Sequence, residues 1–338
     1  MVFKSGKKDI YLPDPATGRL EERDVKTFFT TFGLGLFFFS LATSFAVEII
    51  ALTVYFTSPA LLESTLFSNI LSFAVIYGIA FPILFCITRR LPDIRPEKRS
   101  LGTKNFFITV CLMFTCTIGG NIISNFLASV LSAFKGGEVL ENPVNTAILG
   151  ESFWINLIFT VLLAPILEEL VFRKYLCEKL LPLGEGYAVI ISALVFGLIH
   201  GNIFQCFYCI ANGLLWGYIY VKTGKLRYTI AGHMFMNFFC GVLPSLLLSF
   251  IDEEVLASGV IGDIITQAPF YLGLLAIEFI QYASAIFGLV IFMKHRRNIS
   301  LERGVLPPPD EKKISLVMSN VGMILAVCLV GLNLLGSI

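Results

Sequence analysis

The sequence predicts an all-α, polytopic integral membrane helical bundle of about nine spans (eight to nine), with its N-terminus in the cytoplasm. Three observations predict it. The 338 residues are 56% hydrophobic and only 14% charged, against roughly 45–50% and about 25% in soluble domains, and mean hydropathy is +0.81. Apolar runs near the ~20 residues that cross a bilayer recur along the chain. The basic residues fall in every second gap between those runs, as cytoplasmic loops require. With 25 Lys and Arg against 24 Asp and Glu, no net field exists to attract nucleic acid. Membrane lipid is the partner that composition implies.

The chain opens with mostly polar residues over 1–27, in which Pro13, Asp14, Pro15 and Gly18 mark a turn-rich, solvated cytoplasmic tail. No signal peptide is visible before the first apolar run. Spans are expected at 28–50, 70–88, 106–131, 153–175, 187–203, 204–221, 228–250 and 270–293, forming one bundle over 28–293. A cytoplasmic linker over 294–314, stiffened by Pro307-Pro308-Pro309, leads to a final transmembrane helix within 315–338. The tail, 89–105, 173–186, 222–227 and the linker together hold 24 of the 25 basic residues, and Lys135 is the remaining one. Nine spans then leave the C-terminus outside. The junction His200-Gly201-Asn202-Ile203 is so short that spans five and six read as a tight hairpin, whose turn can lie within the membrane only where protein or water satisfies its backbone. The eight cysteines sit nearly all inside apolar runs, so Cys206 and Cys209, although a CxxC pair, read as packing residues.

Ionisable groups inside spans cost about 2.5–3.5 kcal/mol each on insertion and are functional candidates by default. They are Glu48, Glu168, Glu169, Arg173, His200, His233 and Glu278. Glu48, Glu278 and Asn202 are expected to be interhelical hydrogen-bond ties, and His295, in Lys-His-Arg-Arg, ordinary flanking charge. On span four, Glu169 and Arg173 are i,i+4 neighbours suited to an ion pair. Glu168 points about 100° away, toward a different partner. Pro165 removes a helical hydrogen bond just before the pair and is expected to kink the helix. Gly197 and Gly201 flank His200 and would admit a neighbouring helix. His233 and Asn237 share one face of span seven. A carboxylate, two imidazoles and an amide are the components of a hydrolase. One tension is depth: at ~1.5 Å per residue, His233 lies about 9 Å and His200 about 20 Å from the cytoplasmic edge. Their convergence requires tilt, an early start to span five, or the turn after His200.

The ordered set Glu-Glu-x-x-x-Arg (168–173), Phe-x-x-x-His (196–200) and His-x-x-x-Asn (233–237), each on its own span, resembles the CAAX-protease and bacteriocin-processing family of intramembrane proteases, also called the Abi or type II CAAX prenyl endopeptidase family. The resemblance covers about 150–250, and no motif position departs from the pattern. It implies a membrane endopeptidase whose active site faces the cytoplasm. Glu168 would activate water with His200 orienting it, His233 and Asn237 would stabilise the oxyanion, and Glu169 and Arg173 would support the geometry. The place of a metal is open: Glu168, His200 and His233 could supply three ligands to Zn2+, whereas HExxH is absent, and the reading leans to metal-free chemistry. No cofactor is committed. The implied substrate is a membrane-associated peptide or protein, prenylated or a peptide precursor, in a bacterial cell membrane. The alternatives are a non-catalytic immunity or regulatory protein on the same scaffold and a proton-coupled transporter.

Overall fold

The computed structural model describes residues 11, 14–143, 148, 152–252, 254–255, 261–309 and 313–336. Of the residues named above, Pro13 lies outside the described residues. The described residues are helical with no β-strand, apart from one isolated bridge between Gly184 and Arg303. In chain order the helices are α1 (Glu22–Thr57), α2 (Thr65–Thr88), α3 (Thr103–Phe134), α4 (Phe153–Leu183), α5 (Glu185–Leu198), α6 (Ile203–Thr223), α7 (Leu226–Leu248), α8 (Ile261–His295), α9 (Lys313–Met318) and α10 (Val321–Gly336). Six stretches among the described residues are long and apolar enough to cross a membrane: α1, α2, α3, α4, α7 and Ile264–Asn298. The expected fifth and ninth spans correspond to shorter apolar helices, and α6 is not among the six. Large apolar side chains such as Phe45, Phe56, Phe126 and Phe279 point outward, which is stable only against lipid.

Local chemistry sets the helix ends. Ser64, Ser152 and Asn202 cap α2, α4 and α6 by accepting from the N–H three residues on. Gly224, left-handed at φ 58°, closes α6. Three prolines share one device. Pro82, Pro165 and Pro244 each follow a wide π-turn, at Ile76–Ala80, Leu157–Leu163 and Phe238–Val242. An in-helix proline has no N–H and clashes with the carbonyl four residues back, and the wider turn moves that carbonyl aside. The kink expected at Pro165 therefore takes the form of a π-turn.

The basic loops gather at one end of the bundle. Lys179 donates to the Arg89 and Leu91 carbonyls at 3.3 and 2.8 Å and pairs with Asp93 at 3.1 Å. Tyr220 donates to Glu178 at 2.6 Å, and the Arg99 N–H bonds the Thr223 carbonyl. The proline-stiffened linker is docked here: Glu185 N–H bonds Glu302 O, Leu306 N–H bonds Pro182 O, and Lys222 reaches Glu185 at 2.6 Å. The polar tail is turn-rich at Asp14–Arg19 but joins the same end, with Leu20 buried and its N–H on Pro307 O. Burying Leu20 and Leu306 gains more than leaving these segments solvated.

Helices α3 and α6 meet at Gly120, where an added Cβ would collide with the Tyr208 backbone, whereas a Cβ on its neighbour Gly119 would meet nothing within 4 Å. Gly120→Ala should therefore destabilise the purified protein by about 1–3 kcal/mol through overpacking. Gly119→Ala should be neutral or stabilising by up to about 1 kcal/mol from helix propensity. Thermal unfolding of the two variants in detergent checks the contrast.

Candidate active site

The motif residues of α4 through α7 meet inside the bundle. Glu169 and Arg173 are both wholly buried, with Arg173 Nε 3.3 Å from Glu169 Oε2. The guanidinium lies over the Phe196 ring of α5 at 4.7 Å and near Trp216 of α6 at 5.7 Å, so aromatic faces supplement its ion pair. Arg173 sits in a second wide segment of α4, Leu170–Cys177, which no proline accounts for.

His233 of α7 stands between both carboxylates. Its Nδ1 is 3.3 Å from Glu169 Oε1 and its Nε2 is 3.8 Å from Glu168 Oε2. The expectation that Glu168 points to a different partner is thus modified: adjacent carboxylates reach opposite nitrogens of one ring. They differ in access, since the Glu168 side chain is 21% exposed and that of Glu169 is 0%. Of the two, Glu168 alone has side-chain surface open to its surroundings. The His233 ring stacks on Trp216 at 4.4 Å between centroids with 25° between planes, which fixes the imidazole plane between its two acid neighbours.

His200 lies in the turn between α5 and α6, half-buried. Its Nδ1 is 2.6 Å from the Phe196 carbonyl. A carbonyl only accepts, so Nδ1 carries the proton and Nε2 keeps a lone pair. That Nε2 faces Cys209 Sγ at 3.7 Å. Phe196 separates the two imidazoles, with centroids 5.0 Å from His200 and 5.8 Å from His233. The 14 residues of α5 rise about 21 Å, so the length of the helix does not by itself remove the depth difference, and it is the Phe196 ring that lies near both imidazoles. Of the two flanking glycines, Gly197 makes the expected close approach, to Ile210 and the Cys206 carbonyl of α6. Gly201 does not: nothing lies within 4 Å of its added Cβ, and its φ of +66° shows that the turn itself needs glycine.

Asn237 donates to the Thr160 carbonyl at 2.9 Å. The π-turn explains this bond. Ala164 N–H reaches five residues back to Phe159 O, so the following residue should serve Thr160 O, but Pro165 has no N–H. The Asn237 amide supplies the missing donor, and its second N–H remains for another partner. Asn202 caps α6 and also donates to the His200 carbonyl at 3.1 Å, so it shapes the turn and ties no other helix. Glu48 and Glu278 are exposed on α1 and α8 and are not interhelical ties. Cys206 and Cys209 are buried packing residues, with Cys209 also against His200. Trp216 was the contributor hardest to foresee: its signal was a polar and aromatic stripe on α6, Asn212 and Trp216 at i,i+4, in a chain with two tryptophans.

Among the described residues no group of three or more His, Cys, Asp or Glu side chains is arranged to hold a metal ion. His200 directs its nitrogens at a carbonyl and a thiol, so Glu168, His200 and His233 do not form the convergent set that zinc needs.

The fold and this centre define a helical membrane protein with acid, imidazole and amide groups enclosed among its helices. Over residues 150–239 the chain matches the family described as type II CAAX prenyl endopeptidase Rce1-like, the family that the three motifs resemble. It is 28% identical over 167 residues to YdiL of Bacillus subtilis (strain 168), provisionally named a membrane peptidase, covering 48% of this chain and 66% of that protein. It is 29% identical over 118 residues to the membrane-embedded CAAX protease MroQ of Staphylococcus aureus (strain USA300), covering 32% of this chain and 48% of that one. The matches thus span two thirds or less of these relatives' lengths. No solved structure matches the chain.

Removing Arg173 strands Glu169 as an unpaired buried charge, so Arg173→Ala should cost about 3–5 kcal/mol and collapse the folded yield seen by size-exclusion chromatography. Arg173→Lys should rescue it only in part, because ammonium lacks the flat face that lies over Phe196. Asn237→Leu should cost about 1–3 kcal/mol by orphaning the Thr160 carbonyl, read from the same thermal unfolding measurement.

Proposed function

We propose that the protein is an intramembrane endopeptidase that hydrolyses a peptide bond in a membrane-associated substrate, using Glu168 to activate water. The observation that carries this reading is the pairing of a partly exposed Glu168 with His233 at 3.8 Å, while the wholly buried Glu169 holds the other nitrogen of the same ring. A separation of that size is too long for a direct hydrogen bond and leaves room for a water touching both groups.

Glu168 takes a proton from this water as its oxygen attacks the scissile carbonyl carbon. The carbonyl π electrons move to oxygen, the uncommitted N–H of Asn237 donates to the oxyanion, and His233, whose Nδ1–H is held by Glu169, donates from Nε2 as the imidazolium. One such donor contributes about 3–4 kcal/mol. Glu168 then delivers its proton to the leaving nitrogen as the C–N bond breaks, releasing an amine and a carboxylic acid. For His200 to orient the water, as the resemblance implies, its Nε2 must turn from Cys209 Sγ toward Glu168. Glu169 and Arg173 hold His233 in place.

The same reading places the N-terminus and the end of the bundle bearing the basic loops in the cytoplasm, with about nine helices in a bacterial cell membrane. The alternating basic residues and the bacterial relatives support it. The substrate is a prenylated tail or a peptide precursor presented at that membrane.

Glu168→Gln keeps the size and polarity of the side chain but replaces one acceptor oxygen with an N–H donor and removes its basicity. Cleavage should fall by about 10²–10⁴-fold, the usual contribution of a general acid–base group, with folded yield unchanged. Comparing membrane peptidomes of cells expressing wild type and Glu168→Gln at matched levels should show termini present only with wild type. Identical peptidomes, with both proteins folded and inserted, would favour a non-catalytic regulatory role.

A further inference from the structure

A second polar feature lies away from the candidate active site, at the start of α1. Arg23, Lys26, Thr27, Thr30 and Thr31 line a cavity of about 450 Å³. Their spacing of three and four residues places them on one helix face. The opposite face, Val25, Phe28, Phe29 and Phe32, is fully buried in the bundle. Arg23 and Lys26 are exposed, and among the described residues neither side chain has an ion pair or hydrogen-bond partner. Further along, Gly322 of α10 packs on the backbone of Thr30 and Leu34, and beyond that contact the same face turns outward with Phe38, 42% exposed. Two unpaired cations, a patch of hydroxyls and an outward apolar ring therefore follow one another along one stripe.

We propose that this stripe binds an anionic phospholipid. The headgroup phosphate sits against Arg23 and Lys26, the Thr30 and Thr31 hydroxyls donate to its oxygens while that of Thr27 serves the Arg23 carbonyl, and an acyl chain runs on toward Phe38. The dimensions agree: the twelve residues from Lys26 to Phe38 rise about 18 Å, close to the ~15 Å of one leaflet's hydrocarbon. Charge complementarity selects an anionic lipid over a zwitterionic one, because two cations face a single phosphate. The apolar continuation selects a lipid over free phosphate, which would leave Phe38 uncovered. The site is independent of proteolysis.

The test titrates the full-length protein in detergent with phosphatidylglycerol and phosphatidylcholine, following bound lipid by native mass spectrometry. Near a charged membrane each Lys or Arg contributes about 1 kcal/mol. Arg23→Ala/Lys26→Ala should therefore bind phosphatidylglycerol about thirty-fold more weakly, whereas Arg296→Ala/Arg297→Ala, a basic pair at the end of α8, should match wild type. Thr30→Val/Thr31→Val, which keeps the helix and the charges, should bind several-fold more weakly. Equal losses in both charge variants would overturn the site in favour of diffuse attraction. Equal wild-type affinity for phosphatidylcholine would overturn the selection for negative charge. Complete displacement of phosphatidylglycerol by millimolar inorganic phosphate would overturn the lipid in favour of a free anion.

Discussion

The rest of the site depends on one charge pair that never meets water. Glu169 and Arg173 are wholly enclosed, and two charges in an apolar bundle persist only when geometry and neighbours compensate their desolvation. Each neighbouring helix contributes to that compensation. Phe196 of α5 and Trp216 of α6 offer ring faces to the guanidinium, and His233 of α7 brings Nδ1 to the carboxylate. Three helices are thereby drawn against α4 at one level. The second acid, Glu168, is left facing the same imidazole with part of its side chain exposed. A structural requirement of the pair thus produces an asymmetric pair of acids around one ring.

Backbone chemistry does comparable work. Membrane helices must satisfy their carbonyls internally, and a proline removes one donor. At Pro165 the answer is a π-turn whose orphaned Thr160 carbonyl is taken by Asn237. The amide of the third motif is thus tied to the helix carrying the first. A change in the helical winding of α4 would be felt at α7, and the reverse. His200 is ordered by its own backbone in the same economical way, through the Phe196 carbonyl, with Asn202 holding the turn below it.

The family match covers 150–239, which is α4 to α7 and little else. The surrounding helices form its casing. α3 packs on α6 through Gly120, and α1 carries the buried phenylalanines of the core. The docked linker crosses the α4–α5 junction by backbone hydrogen bonds. That junction separates the two acids from His200, so a segment remote in sequence braces the distance between two motifs.

Much was legible from residue order alone. Apolar runs, alternating basic gaps and the i,i+4 pair of Glu169 and Arg173 are short-range properties, set by 1.5 Å per residue and 3.6 residues per turn, and the helices and the ion pair follow them. The three motifs pointed to residues that the helices pack close together, because such costly groups have few reasons to be inside a bilayer. Long-range facts were not legible. That Glu168 and Glu169 share one imidazole, that Trp216 stacks on it, and that Asn237 serves a carbonyl on α4 all depend on how helices cross. The same holds for Glu48 and Glu278, whose outward placement no periodicity announces, and for the docking of the linker. Sequence decides which groups must avoid lipid; packing decides which partner each one finds, because that choice is made across helices, where spacing along the chain carries no distance.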